Sequence, residues 1–278
     1  MQAERHILTR SGLRVPRILY GTAWKKAQTA RWVREALDAG FDGIDTACQP
    51  RHYDEAGVGT GLRASRRARG ELYLQTKFTP LAGQDPARLP YDAGASIAQQ
   101  VRQSFAQSLH NLGSPYLDCL LLHSPLQDQR QMRECWQALE ALADSGQVGQ
   151  LGISNCYEPD ALRRLDREAR IKPAVVQNRF YAATGYDSEI RAYCRGEGIV
   201  YQSFWTLSAN PQLLADPAVT GPARSLDRTP AQILFRYLLQ QDVVPLTGTT
   251  SLPHMQQSLA IFDFALTDAE AGAITALL

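Results

Sequence analysis

The 278-residue chain sets 29 Lys and Arg against 28 Asp and Glu, and this balance gives no global electrostatic reason to bind nucleic acid or a membrane surface. Its five cysteines (Cys48, Cys119, Cys135, Cys156, Cys194) are odd in number and include no C-x-x-C pair, which argues against a disulfide framework and a zinc ribbon and suits a reducing cytoplasm. No apolar run approaches the roughly 20 residues that span a bilayer, and Met1 to Arg5 leads into no apolar signal segment; the expectation is an untargeted cytoplasmic protein without metal, monomeric or weakly dimeric, whose partners are small molecules.

Arg17-Ile18-Leu19-Tyr20-Gly21 reads as a short apolar strand that stops at glycine, and residues 29–39 repeat apolar positions at helical spacing (Ala30, Val33, Leu37) before Gly40. A second strand over 41–45, a small-residue helix over 55–66 and a third strand over 72–77, ending on Lys77, repeat the unit. Residues 79–94 form a Pro/Gly/Asp-rich stretch longer than a connection needs, so it is expected to border a site. The spacing of Val101, Phe105 and Leu109 predicts a helix over 97–112, and the apolar run 117–122 reads as a buried parallel strand that ends at His123-Ser124-Pro125. A helix over 132–143, a strand over 148–153, a helix over 159–169 and strands over 173–178 and 199–204 follow. Thr229-Pro230 opens a helix as cap and first-turn proline, running to about residue 241 before a strand over 243–246 and helices over 252–262 and 268–277. This strand-helix alternation, with no linker composition and a length near the ~250 residues such folds use, predicts one (β/α)8 barrel domain over residues 1–278. A doubly wound sheet is the competing architecture.

The residues at the predicted strand ends are Asp45, Lys77, His123, Ser154-Asn155, Gln177, Phe204-Trp205 and Thr247-Gly248-Thr249, too polar a set for a core. Barrel closure would gather them at one mouth. The richest stretch is Gly43 to Glu55, where a strand stops at Asp45 and a Pro-containing turn carries His52 and Tyr53. An ammonium about 4 Å from a phenol is worth up to a few kcal/mol, enough to lower a tyrosine pKa of about 10 by a unit or more, which would make Tyr53 an acid usable near neutral pH. Read blandly, Asp45 caps a turn and Tyr53 packs its ring and wets its hydroxyl. Gly57-Val58-Gly59-Thr60-Gly61 lacks the third glycine of a dinucleotide loop and is expected to mark close helix-barrel packing. His6 and His110 read as surface or satisfied core residues.

Gly43-Ile44-Asp45-Thr46-Ala47 with Glu55 and Val58-Gly59, Gln75-Thr76-Lys77, Leu122-His123-Ser124-Pro125, Leu151-Gly152-Ile153-Ser154-Asn155 and Gln177-Asn178 occur in that order, and in this combination the chain resembles the aldo-keto reductase superfamily over nearly its whole length. The resemblance implies a barrel enzyme that reduces aldehydes or ketones to alcohols with NADPH or NADH, using an Asp, Tyr, Lys, His tetrad. Asp45, Lys77 and His123 fall on that pattern. The family usually has five steps from aspartate to tyrosine; here Pro50 stands five steps on and Tyr53 eight. Aligning Glu55 instead puts His52 in the tyrosine's place. Tyr53 is expected to be the acid, because a phenol combines a tunable proton with the expected role, and His52 is the alternative.

By the same resemblance Thr22, Ser154, Asn155, Gln177, Phe204, Thr247, Gly248, Thr249, His254, Gln257 and Ser258 hold the cofactor. Ser, Asn and Gln offer the donors and acceptors a carboxamide needs; Phe204 stacks on the nicotinamide or belongs to the core. Trp24, His52, Phe78 and Trp205 are expected on the substrate side, beside the 79–94 stretch. Members preferring the phosphorylated dinucleotide usually carry a Lys-Ser pair and an Arg where this chain has Gly248-Thr249 and His254, so the expected preference is relaxed or NAD-leaning. The short segment after His123 and the end at Leu278 soon after the last helix point to an open mouth and loose selectivity. Two other readings stand: a catalytically weak nicotinamide-binding sensor or interaction protein of the same fold, and an aldolase with Lys77 as Schiff-base nucleophile.

Overall fold

The computed structural model describes residues 4–278. After an antiparallel pair, β1 (His6–Leu8) and β2 (Arg14–Pro16), eight short parallel strands close on themselves: β3 (Leu19–Gly21), β4 (Gly43–Asp45), β5 (Tyr73–Phe78), β6 (Leu117–Leu122), β7 (Val148–Ser154), β8 (Val175–Arg179), β9 (Val200–Phe204) and β10 (Val243–Thr247), with β10 pairing β3 to seal the ring. Around it lie α1 (Thr29–Ala39), α2 (Glu55–Ser65), α3 (Ile97–Leu112), α4 (Gln129–Asp144), α5 (Pro159–Glu168), α6 (Ser188–Glu197), α7 (Pro211–Ala215), α8 (Pro217–Ser225), α9 (Pro230–Gln240), α10 (Leu252–Leu259) and α11 (Asp268–Thr275). This is the (β/α)8 barrel, not the doubly wound sheet.

Strand alternation divides the interior in two. Outward-facing residues such as Leu74, Leu120 and Val176 join the helices' apolar stripes in one large core, while inward-facing Leu19, Tyr73, Cys119, Leu121, Val175 and Val244 fill the barrel with Val15 of β2. Val15 and the Thr9 hydroxyl, 2.8 Å from Gln150 Oε1, plug the end opposite the strand C-termini. Higher up the barrel turns polar: Gln75 and Gln177 each donate to Gln202 Oε1, and both donate to Asp45 Oδ1 at 2.7 and 2.9 Å. Such a column is tolerated because its members satisfy each other.

The predicted helices over 29–39 and 97–112 and the strand over 117–122 match to the residue; the other elements shift at one or both ends by one to three positions. The β1–β2 pair and helices α6, α7 and α8 were not anticipated. His6–Leu8 and Arg14–Pro16 stand in no apolar run that would mark them as strands, and α6 begins after left-handed backbone at Tyr186 and Asp187 that obscures its start. Gly59 and Gly61 do mark close packing, but between helices rather than against the barrel: a Cβ would lie 2.2 Å from Asn111 O at Gly59 and 2.7 Å from Ala30 O at Gly61. All five cysteines are buried and free.

Candidate active site

The loop after β4 is built so that its side chains turn back over the barrel. Cys48 N donates to Lys77 O at 3.1 Å, Tyr53 N and His52 N both reach Gln49 O, and Asp54 caps α2 by accepting from Gly57 N at 2.9 Å. With both ends fixed, the extra residues are absorbed in the tight turn 49–53. Tyr53 then lies with its ring centroid 5.5 Å from Lys77 Nζ and edge-on to His123 at 6.1 Å, whereas His52 stacks on Trp24 at 3.9 Å.

Lys77 Nζ sits 2.7 Å from both Asp45 carboxylate oxygens and 2.8 Å from Thr46 O. Its three N–H groups are therefore all engaged. The expectation that this ammonium pulls the Tyr53 pKa down is not met: burial first and the Asp45 carboxylate second push the phenol upward. Burial also lowers Lys77 itself, against the opposing pull of Asp45. His123 is held neutral, first by burial and then by the Lys77 charge; its backbone N–H donates to Phe78 O and its backbone carbonyl accepts from Asn155 Nδ2 at 2.8 Å.

Tyr53, His123 and Asp45 line one open cavity of about 690 Å³ at the strand C-termini, together with Trp24, His52 and Trp205. Among the described residues the Tyr53 hydroxyl has no hydrogen-bond partner, and Lys77 does not line the cavity.

A family model described as "Aldo/keto reductase family" matches residues 17–278. The chain belongs to the aldo/keto reductase family. Among relatives it is 31% identical to the glyoxal reductase of Bacillus subtilis over 88% of this chain and 82% of that protein, and 28% identical to the morphine 6-dehydrogenase of Pseudomonas putida over 94% and 86%. Of solved structures, an aldo/keto reductase from Brucella melitensis superposes with a TM-score of 0.84 at 27% identity, covering 98% of this chain and 99% of that one. A Bombyx mori aldo-keto reductase in complex with NADP superposes with a TM-score of 0.82 at 25% identity, covering 99% and 93%. The protein is thus an oxidoreductase of a family that uses nicotinamide cofactors, and no helix among the described residues is long and apolar enough to cross a membrane.

In this aldo/keto reductase the residues assigned to the cofactor divide. Ser154, Asn155, Gln177, Phe204, Thr247, Gly248 and Thr249 line the cavity. Gln177 donates both amide protons inward, leaving Oε1 without a protein partner among the described residues. Thr22 does not line it; it is fully buried, donating to Asp45 O. His254, Gln257 and Ser258 lie outside it as well, with His254 exposed on α10 and Ser258 buried behind it. On the substrate side Phe78 needs correction. Lys77 faces the barrel interior, so Phe78 faces outward and is buried against Tyr91 at 5.7 Å. Residues 79–94 do not line this cavity either; they pack behind the Tyr53 loop, where Gln84 Nε2 donates to Cys48 O at 2.9 Å.

Three residues went unremarked in the sequence. Lys25 is buried, donates to Gly248 O at 2.7 Å and is lowered to about 8 by burial. A Cβ at Gly248 would lie 3.6 Å from its Nζ, in ordinary van der Waals contact. Arg179 lines the cavity with its guanidinium 4.1 Å from the Trp205 ring centroid, and Gln49 also lines it. The available signals were Lys25 following Trp24, and Arg179 two residues beyond Gln177 on the same strand face.

Proposed function

We propose that the protein reduces aldehydes or ketones to alcohols with a reduced nicotinamide cofactor, Tyr53 serving as proton donor. The observation that carries this is the convergence of Tyr53, His123 and Asp45 on one open cavity, with Lys77 paired to Asp45 behind it and its Nζ 5.5 Å from the Tyr53 ring centroid. The relatives named as a glyoxal reductase and a morphine 6-dehydrogenase support the reaction class.

The cavity fits the cofactor by its chemistry: Gln177 Oε1 is an unpartnered acceptor for a carboxamide N–H, Phe204 offers an aromatic face, and Arg179 is a lining cation with no carboxylate partner among the described residues, while Lys25, outside the lining, donates to lining Gly248 O. When bound, a reduced nicotinamide supplies hydride. Neutral His123 donates a hydrogen bond to the carbonyl oxygen and orients it. Tyr53, protonated in the resting state, transfers its phenolic proton to that oxygen as charge develops there. The tyrosinate left behind is stabilised by Lys77, 5.5 Å from the ring centroid, and regains its proton from water in the cavity.

Cofactor choice is proposed as relaxed: neither Gly248-Thr249 nor exposed His254 supplies a fixed charge, but Lys25 brings a cation to the same loop. The full engagement of Lys77 by Asp45 and Thr46 favours a second reading, a nicotinamide-binding sensor with little turnover. The same engagement removes the support for an aldolase, since the amine is buried in an ion pair and lines no part of the cavity. Oxidation of NADPH and of NADH, followed with a panel of aldehydes and ketones, separates the readings: turnover is expected with either cofactor, and tight cofactor binding without turnover across the panel would select the sensor.

A further inference from the structure

Thr79 follows the last residue of β5 and is almost wholly buried, with 2% of its surface exposed. Its hydroxyl oxygen lies 2.6 Å from His123 Nδ1, and among the described residues that is its only hydrogen-bond partner. The rest of the residue is fixed on every side. The carbonyl accepts from Tyr91 Oη at 2.7 Å and from Gln84 Nε2 at 3.3 Å. The methyl lies so close to Gly83 that a Cβ there would sit 2.8 Å from it. A β-branched side chain pinned at its methyl has little χ1 freedom, so the hydroxyl is held against the imidazole.

The 2.6 Å contact can carry its proton in two ways. If His123 Nδ1–H donates, the Thr79 hydroxyl proton is left with no acceptor in a buried place, and Nε2 faces the cavity as an acceptor. If Thr79 donates, every buried donor of the pair is satisfied and the imidazole proton stands on Nε2, which has no protein partner among the described residues. Buried hydroxyl protons are rarely left unpaired, which favours the second arrangement. We infer that Thr79 is a positioning residue that donates its hydroxyl proton to His123 Nδ1 and so keeps the imidazole proton on Nε2, where it can bond a substrate carbonyl oxygen. The inference rests on the proposed role of His123 for its consequence, though not for its geometry. Because burial holds His123 neutral, the choice of nitrogen decides whether the ring presents a donor to the cavity.

The test is a two-bond nitrogen–proton correlation spectrum of the full chain with ¹⁵N-labelled histidine, the His123 signals assigned by their loss in His123→Asn. The wild type is expected to show an unprotonated, hydrogen-bonded Nδ1 and a protonated Nε2; a proton on Nδ1 overturns the inference. Thr79→Val, which keeps the shape without the hydroxyl, should move the Nδ1 resonance, lower kcat by about tenfold or more through lost orientation, and leave cofactor affinity unchanged. Thr79→Ser should restore the signal and bring kcat back to within about threefold. An unmoved Nδ1 resonance with unchanged kcat in Thr79→Val also overturns it, and if that variant does not fold, the wild-type tautomer alone decides. A wild type with Nε2 protonated, an Nδ1 that responds to Thr79→Val and no carbonyl turnover would refute the reductase reading and leave the Thr79 assignment standing.

Discussion

The phenol of Tyr53 is held protonated by burial and by the Asp45 carboxylate, while the nearest cation, Lys77, gives its protons to Asp45 and Thr46. A raised pKa is compatible with a proton donor, because the acid must keep its proton until negative charge appears on the substrate; Lys77 then matters after transfer. Tyr53→Phe should lower kcat by several orders of magnitude and His52→Gln by no more than about tenfold; the reverse order in steady-state assays would give the acid's role to His52, which stacks on Trp24. Lys77→Met should abolish turnover, spare cofactor affinity and destabilise the fold by about 3–5 kcal/mol, since it strands a buried carboxylate. Adding Asp45→Asn should recover much of that stability and none of the activity. A denaturation series showing no recovery would mean that Lys77 supports the fold by packing rather than by charge.

At the scale of elements, the β3–α1 loop, which carries Lys25, meets the β10–α10 loop, which carries Gly248 and Thr249, and the proposed cofactor recognition is shared between them. Lys25 reaches across to donate to Gly248 O at 2.7 Å. Burial lowers Lys25 to about 8, so its charge is present below that pH and lost above it. If the ammonium holds a cofactor phosphate, affinity should fall about tenfold between pH 7 and pH 9, and Lys25→Arg should flatten the profile because an arginine stays charged. Calorimetric titration of NADH and NADPH at both pH values checks this. A wild-type profile that is flat, or that Lys25→Arg leaves unchanged, removes Lys25 from the phosphate site; NADPH binding more than about 10²-fold tighter than NADH would contradict the relaxed preference.

For the molecule as a whole, burying His123 in its neutral form couples acid stability to the site. Its native pKa lies below the unfolded value of about 6.5, so its stabilising contribution is complete above pH 6.5 and is lost as pH falls through the native pKa. The loss should run at up to about 1.4 kcal/mol per pH unit. His123→Gln should remove this component, so that urea unfolding of wild type and variant converges as pH is lowered from 7 towards 5. Parallel curves would show that His123 titrates alike in both states.

The sequence by itself determined the repeating unit and the chemistry at its ends. Periodicity of 3.6 over residues 97–112 and an unbroken apolar run over 117–122 left one regular structure each, and Asp45, Lys77 and His123 were legible as ionisable residues closing apolar strands. Only the tertiary structure decided which of them touch. That Lys77 turns its protons to Asp45 and Thr46 rather than to the phenol, that Tyr53 and not His52 lies over it, and that Phe78 faces the helices all depend on strand register and on a turn whose ends are fixed by Cys48 and Asp54. Lys25 and Gly248, or Thr79 and His123, lie 223 and 44 residues apart, and no local preference records such a pairing: the energy of each contact exists only once the barrel has closed.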